Sequence, residues 1–346
     1  MNADLLKETA QKMVAAGKGI LAADESSSTA NKRLASVNIE QNEENRRRYR
    51  ELFLASEGIE EYLSGVILYD ETLRQKSNSG KPFHELLKER GIIPGIKVDM
   101  GAKDFANFPG EMITEGLDGL RERLQEYNKM GCGFAKWRAV INIKGDELPT
   151  YACTHSNAHA MARYAALCQE NDIVPIVEPE VMLEGDHSIE RCEAVTTEIL
   201  KATFEHLEMM RVMPEGVVLK ASMVLAGNKH EKQSTPEEVA AATLRTLKTS
   251  VPANLGGIVF LSGGQTAEQA SANLDAINKL AKKEGAPWQL TFSYARALQG
   301  PALEAWAGDD AKMPEARERF HKRLKLNSAA REGTYSPEME ANGVAA

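Results

Sequence analysis

The chain has 346 residues, 42% of them hydrophobic, which is enough for a large core and leaves room for one big domain or two ordinary ones. A formal net charge of -8 excludes the global basic field of a general nucleic-acid or anionic-membrane binder. No run of about 18 apolar residues occurs, and Lys7, Glu8, Lys12 and Lys18 break up the start of the chain, so a soluble, unexported, cytoplasmic protein is expected.

The first segment reads as an amphipathic helix ending at Gly17. Eight β-rich runs follow: 19–24 (GILAAD), 65–71 (GVILYDE), 94–99 (PGIKVD), 134–141 (FAKWRAVI), 174–180 (VPIVEPE), 216–222 (GVVLKAS), 257–264 (GIVFLSGG) and 289–295 (QLTFSYA). Their cores are Val, Ile, Leu and Phe, as strands covered on both faces require. Between them lie longer segments of helical periodicity, with start signals at Ser188 and at Ser234/Thr235 before Pro236. This alternation predicts an α/β fold, a (β/α)8 TIM barrel with extra N- and C-terminal helices. No G-x-G-x-x-G follows the first strand and no P-loop motif occurs, which argues against a doubly wound sheet. The expected organisation is one barrel domain over 1–328 and a polar, flexible tail over 329–346.

Several conspicuous residues read blandly. Arg46, Arg47, Arg48 and Arg50 are flanked by Glu40, Glu43, Glu44 and Glu51, as on a solvated helix face or subunit contact. His187 sits in a turn-like EGDHS stretch where surface duty is expected, and Trp137, Trp288 and Trp306 read as packing residues. His155 and His159 have a zinc-compatible i, i+4 spacing, but no Glu follows the first His, and no metal is expected. Cys132, Cys153, Cys168 and Cys192 are far apart, so buried free thiols are expected and no disulfide framework.

The informative feature is what interrupts the apolar strands. At their C-terminal ends stand Asp24, Asp70 and Glu71, Lys97 and Asp99, Lys136 and Arg138, Glu178 and Glu180, Lys220, Ser262 with Gly263 and Gly264, and Ser293 with Arg296. In a barrel these ends converge on one mouth, and pairs two apart share a face. Such a charged ring has a structural reading only if its members form mutually satisfying ion pairs. Lys220 directly follows Val217, Val218 and Leu219, and burial beside a second cation such as Lys136 favours the neutral amine that attacks a carbonyl. Glu178 and Glu180 suit one proton carrier and one orienting partner. Ser262, Gly263, Gly264 and Arg296 end the last two strands, where barrels often hold phosphate. Lys32, Arg33, Lys97 and Arg138 supply a second basic group on the far side, so the substrate expected is phosphorylated at both ends.

The strings GKGILAADES, NRRRYR, GIKVD, FAKWR, IVPIVEPE, GVVLKASMV, FLSGGQ and TFSYARAL resemble class I fructose-bisphosphate aldolase from about Ala10 to about Pro337. The resemblance implies reversible, cofactor-free and metal-free cleavage of fructose 1,6-bisphosphate to dihydroxyacetone phosphate and glyceraldehyde 3-phosphate, in glycolysis and gluconeogenesis, usually by a homotetramer. It implies Lys220 as the Schiff-base lysine, Glu178 as acid/base carboxylate and Glu180 as the neighbour that orients Lys220. It further implies Asp24 as the group that takes the C4 hydroxyl proton, with Lys136 as the lysine beside the nucleophile. Ser262, Gly263 and Arg296 then match the C1-phosphate end, and Lys32, Arg33, Lys97 and Arg138 the C6-phosphate end.

Three departures stand out. Thr29 replaces a phosphate-binding Ser, Ala295 replaces the Gly before Arg296, and the sequence ends GVAA without the terminal Tyr of the animal enzymes. A slower enamine step, or proton exchange by another group, is expected from the last. Rival readings are another Schiff-base aldolase or transaldolase, and a non-catalytic sugar-phosphate-binding scaffold. Two basic clusters favour a bisphosphate over the monophosphates of the first, and intact Lys220, Glu178 and Asp24 argue against the second.

Overall fold

A computed structural model describes residues 1–341. Eight parallel strands close into a barrel in the order β1-β10-β9-β8-β7-β6-β3-β2. The strands are β1 Gly19–Ala23, β2 Leu63–Leu68, β3 Ile93–Lys97, β6 Phe134–Ile141, β7 Val174–Val181, β8 Val218–Ala221, β9 Gly257–Phe260 and β10 Leu290–Tyr294, with a small hairpin of β4 Ala102–Asp104 and β5 Met112–Thr114. The helices are α1 Ala3–Met13, α2 Ser27–Ser36, α3 Glu43–Leu54, α4 Asp70–Arg74, α5 Phe83–Glu89, α6 Leu120–Lys129 and α7 Tyr151–Glu170. They continue with α8 Ile189–Met209, α9 Pro236–Ser250, α10 Ala267–Lys283, α11 Arg296–Trp306, α12 Met313–Glu332 and α13 Glu338–Ala341.

The apolar runs become strands because alternate residues have two different places to go. Leu21, Val66, Ile96, Ala135, Trp137, Val177, Leu219 and Ile258 face the helices and join the outer core. Ile20, Ile67, Phe134, Val174, Ile176, Val218 and Val259 fill the barrel interior, where Leu6, Ala10, Met13 and Val14 of the N-terminal segment cover them from below. Phe134 needs room there that only glycines leave: a Cβ on Gly95 would lie 2.2 Å from its ring and one on Gly65 2.9 Å. Gly95→Ala should therefore cost about 1–3 kcal/mol of stability through overpacking. Denaturant unfolding checks this, and a variant as stable as the parent would show that the floor can yield.

The structure corrects several sequence readings. The N-terminal helix ends at Met13, and Gly17, at φ 69°, lies in the turn that follows. Strand β2 stops at Leu68, and Asp70 and Glu71 open α4, because carboxylates suit a helix N-terminus and Asp70 reaches Arg74 one turn on. Helix α12 runs through position 329 to Glu332 and is capped by Gly333 in the left-handed region. Beyond it Tyr335 is buried, its hydroxyl donating to Glu340 at 3.1 Å. His187 is buried as well, packed where a Cβ on Gly185 or Gly227 would stand 3.0 Å from its ring. The arginine run is no uniformly solvated face: Arg50 is buried, while Arg46 pairs with Glu71, Arg47 with Glu44 and Glu51, and Arg48 with Asp310. The four cysteines are free and buried, and all three tryptophans pack in the interior.

Candidate active site

The C-terminal ends of the strands surround a cleft of about 640 Å³, and every residue singled out above as catalytic or substrate-binding lines it. Asp70 and Glu71 do not, since strand β2 ends before them. Each inward residue stands one or two steps above the apolar floor: Lys97 follows Gly95, Lys136 follows Phe134, Glu178 follows Ile176 and Lys220 follows Val218. Register sets Lys97 beside Lys136 and Arg138 beside Glu178 on neighbouring strands.

Three lysines meet three carboxylates at the bottom of the cleft. Lys220 Nζ lies 3.0 Å from Glu178 Oε1, and Lys136 Nζ lies 3.2 Å from the other oxygen of Glu178. Lys136 also reaches Asp24 at 2.9 Å and Asp99 at 3.9 Å, and Lys97 pairs with Asp99 at 3.3 Å. Burial disfavours charge on Asp24, Glu178 and Lys136, yet the pairings prevail. Asp24 is held well below the usual carboxylate range against its burial, chiefly by Lys136 and then by Lys220. Glu178 is likewise lowered despite burial, by Lys136, Lys220 and Arg138. Lys136 is raised, because Asp24, Glu178 and Asp99 outweigh its desolvation.

Glu180 departs from its expected place. Its carboxylate accepts from Arg138 Nε, across the strand pair, and the carboxylate on Lys220 is Glu178. The reason is register, which brings Arg138 of β6 alongside β7, within reach of Glu180. Asp99 is the acid that sequence reasoning left without a role. Besides the two lysines it accepts from the backbone N–H of Arg138 at 3.3 Å and of Gly101 at 3.1 Å.

Such mutual pairing would also suit a purely structural lattice. The rim tells against that reading, because some of its donors are uncommitted. Among the described residues, exposed Arg296 makes no ion pair and the buried hydroxyl of Ser293 has no hydrogen-bond partner. Gly263 and Gly264 take left-handed φ of 57° and 89°, and a Cβ on Gly264 would stand 3.7 Å from Arg296 Nη2. Helix α11 starts at Arg296 with no side-chain cap, leaving its first N–H groups for an anion. Ala295, at φ -107° and ψ -90°, is outside the left-handed region that calls for glycine. Across the mouth, exposed Lys32 and Thr29 lie on α2. His155 and His159 are far from this chemistry on α7, where His155 Nδ1 faces His206 Nε2 at 3.2 Å. The expectation about the terminal residues, 342–346, lies outside the described residues.

Fold and cleft together define a (β/α)8 barrel with a buried lysine–carboxylate cluster between two rims that carry basic side chains. The family model for fructose-bisphosphate aldolase class-I matches residues 5–346. A probable fructose-bisphosphate aldolase class 1 of Xanthomonas axonopodis pv. citri is 53% identical over 336 residues, 97% of this chain and 99% of the relative. Fructose-bisphosphate aldolase B of Gallus gallus is 48% identical over 331 residues, 95% of this chain and 90% of the relative. Among solved structures, the aldolase of Plasmodium falciparum in complex with TRAP and a small-molecule inhibitor superposes with a TM-score of 0.94 at 46% identity, covering 97% of both chains. The chain belongs to the class I fructose-bisphosphate aldolase family.

Proposed function

We propose that this chain cleaves fructose 1,6-bisphosphate reversibly through a Schiff base on Lys220, and that the cleft just described is where it does so. The observation that carries the reading is the Lys220–Glu178–Lys136–Asp24 chain of contacts at the cleft floor. A proton passing across the 3.0 Å contact from Lys220 to Glu178 leaves a free amine and a neutral acid. The amine adds to the C2 carbonyl of the open-chain sugar, and Glu178 protonates the departing hydroxyl, so water leaves and an iminium forms. That cation draws the electrons of the C3–C4 bond as Asp24 takes the C4 hydroxyl proton. Glyceraldehyde 3-phosphate departs, leaving an enamine; protonation at C3 and hydrolysis then free dihydroxyacetone phosphate and return Lys220.

Lys136 has two effects in this scheme. Its charge makes Asp24 a weaker base, and it stabilises the alkoxide that develops at C4 as the bond breaks. Arg296, Ser262 and the Ser262–Gly264 turn would take the C1 phosphate, with Lys32, Arg33, Lys97 and Arg138 toward the C6 phosphate. Glu180 then acts by holding Arg138. We read the barrel and its flanking helices as one domain, assembling as a homotetramer in the cytoplasm. Among the described residues no helix is long and apolar enough to cross a membrane.

Borohydride reduction in the presence of dihydroxyacetone phosphate tests the reading. Peptide mass mapping should find the adduct on Lys220, with cleavage activity unchanged by EDTA. An adduct on a different lysine, or none, would sink the mechanism.

A further inference from the structure

The residue after Asp24 has no part in the chemistry above. Strand alternation sends Asp24 into the barrel and Glu25 the other way, between α2 and α3. There its side chain is 4% exposed and receives two arginines, Arg33 of α2 on one carboxylate oxygen and Arg50 of α3 on the other. Arg50 is itself only 2% exposed; it also donates to the backbone oxygen of Glu25 at 2.9 Å and to Thr72 Oγ1 at 3.3 Å. Glu25 borders the cleft and Arg50 does not, so Arg50 fixes it from behind.

Arg33 is held differently. Its Nη1 donates to Glu25, to Tyr49 Oη at 3.0 Å and to Gln299 Oε1 at 2.5 Å. Its Nε and Nη2 make no hydrogen bond to protein among the described residues, and the residue lines the cleft. One carboxylate balances only one of the two guanidinium groups, so the cluster keeps a positive charge beside the mouth. A guanidinium anchored along one edge and free along the other is prepaid in rotamer entropy for a phosphate.

We propose that Glu25, locked by Arg50, is a positioning residue that docks Arg33 through Nη1 and presents its free edge to one phosphate of the substrate. The proposal rests on the reading of the cleft as a sugar-bisphosphate site. It gives the buried member of the arginine run a purpose that its surface neighbours do not share.

Steady-state cleavage of fructose 1,6-bisphosphate by Glu25→Gln, Arg33→Gln and the double variant tests it, with melting curves recorded alongside. Each single change should raise KM about tenfold and leave kcat within about threefold, as loss of a charge-assisted contact made equally in ground and transition states. The double variant should be no worse than Arg33→Gln, because Glu25 acts only through Arg33. Glu25→Asp should recover part of the loss. A folded Glu25→Gln with the parent's KM, beside an Arg33→Gln that raises it, overturns the positioning role and leaves the site reading standing. An Arg33→Gln with unchanged KM removes the phosphate from Arg33 and takes both down, while borohydride trapping on Lys220 still reports separately on the imine. Should Glu25→Gln fail to fold, Tyr49→Phe removes a neutral partner of the same nitrogen. It should raise KM about two- to threefold, and an unchanged value would overturn the proposal.

Discussion

Lys220→Met is expected to abolish cleavage of fructose 1,6-bisphosphate, with kcat down by about 10⁵ or more, and to leave the protein folded. No other amine stands in the nucleophile's place, since Lys136 is pinned among three carboxylates by the same charges that raise its pKa. Methionine fills nearly the same volume. Glu178 loses one lysine but keeps Lys136 at 3.2 Å, so no buried carboxylate is stranded and stability should change by no more than about 1 kcal/mol. A cleavage assay with a thermal melt reads both quantities. Residual activity within about a hundredfold of the parent would mean that the covalent step does not need Lys220.

Lys136→Met should have the opposite balance of effects, harming stability as much as chemistry. Lys136 is the hub of the cluster, and without it Asp24, Asp99 and Glu178 share only Lys97 and Lys220. Breaking a buried ion network on one side costs about 3–5 kcal/mol, and loss of the cation beside the C4 alkoxide should lower kcat about 10³-fold. The pH dependence supplies an independent sign. In the parent, Asp24 and Glu178 are depressed below their ordinary 3.8 and 4.5, so their contribution is complete above about 4.5 and is lost as pH falls through the lowered values. In the variant the largest opposing charge is gone, with Lys220, Lys97 and Arg138 left against burial, so both should titrate higher than in the parent. Stability should then rise less between about pH 3 and 4.5 than it does in the parent. Denaturant unfolding at the two pH values decides it, and parallel slopes would refute the hub.

The barrel was legible because its strands are apolar runs of similar length at even spacing, and all eight lie where those runs do. What escaped is what has no such period. The β4–β5 hairpin is built of three-residue strands, too short to alternate, and the helical turn at Asp70–Arg74 was hidden behind a polar strand end. For the cleft, inward-facing positions at strand ends were readable from spacing alone, since a residue two beyond an interior apolar one must also point inward. Partnerships were not. Which carboxylate meets Lys220 depends on the stagger between β6, β7 and β8, and Arg138 takes Glu180 while Glu178 goes to the lysines. Glu25 and Arg50 were the least legible of all, because a charged pair buried behind the strand has no apolar signature, and a run of arginines among glutamates looks like a wet helix face.

Helix α1 and Phe134 make the barrel a blind tube, stopped at one end by Leu6, Ala10, Met13 and Val14. On the proposed reading, an imine on Lys220 sits just above that stopper and can be wetted only from the opening by which sugars come and go. The free aldehyde product stands in that passage until it leaves. Its departure is then the event that admits the water needed to release the covalently held half, so traffic through a single doorway sets the order in which the two products appear.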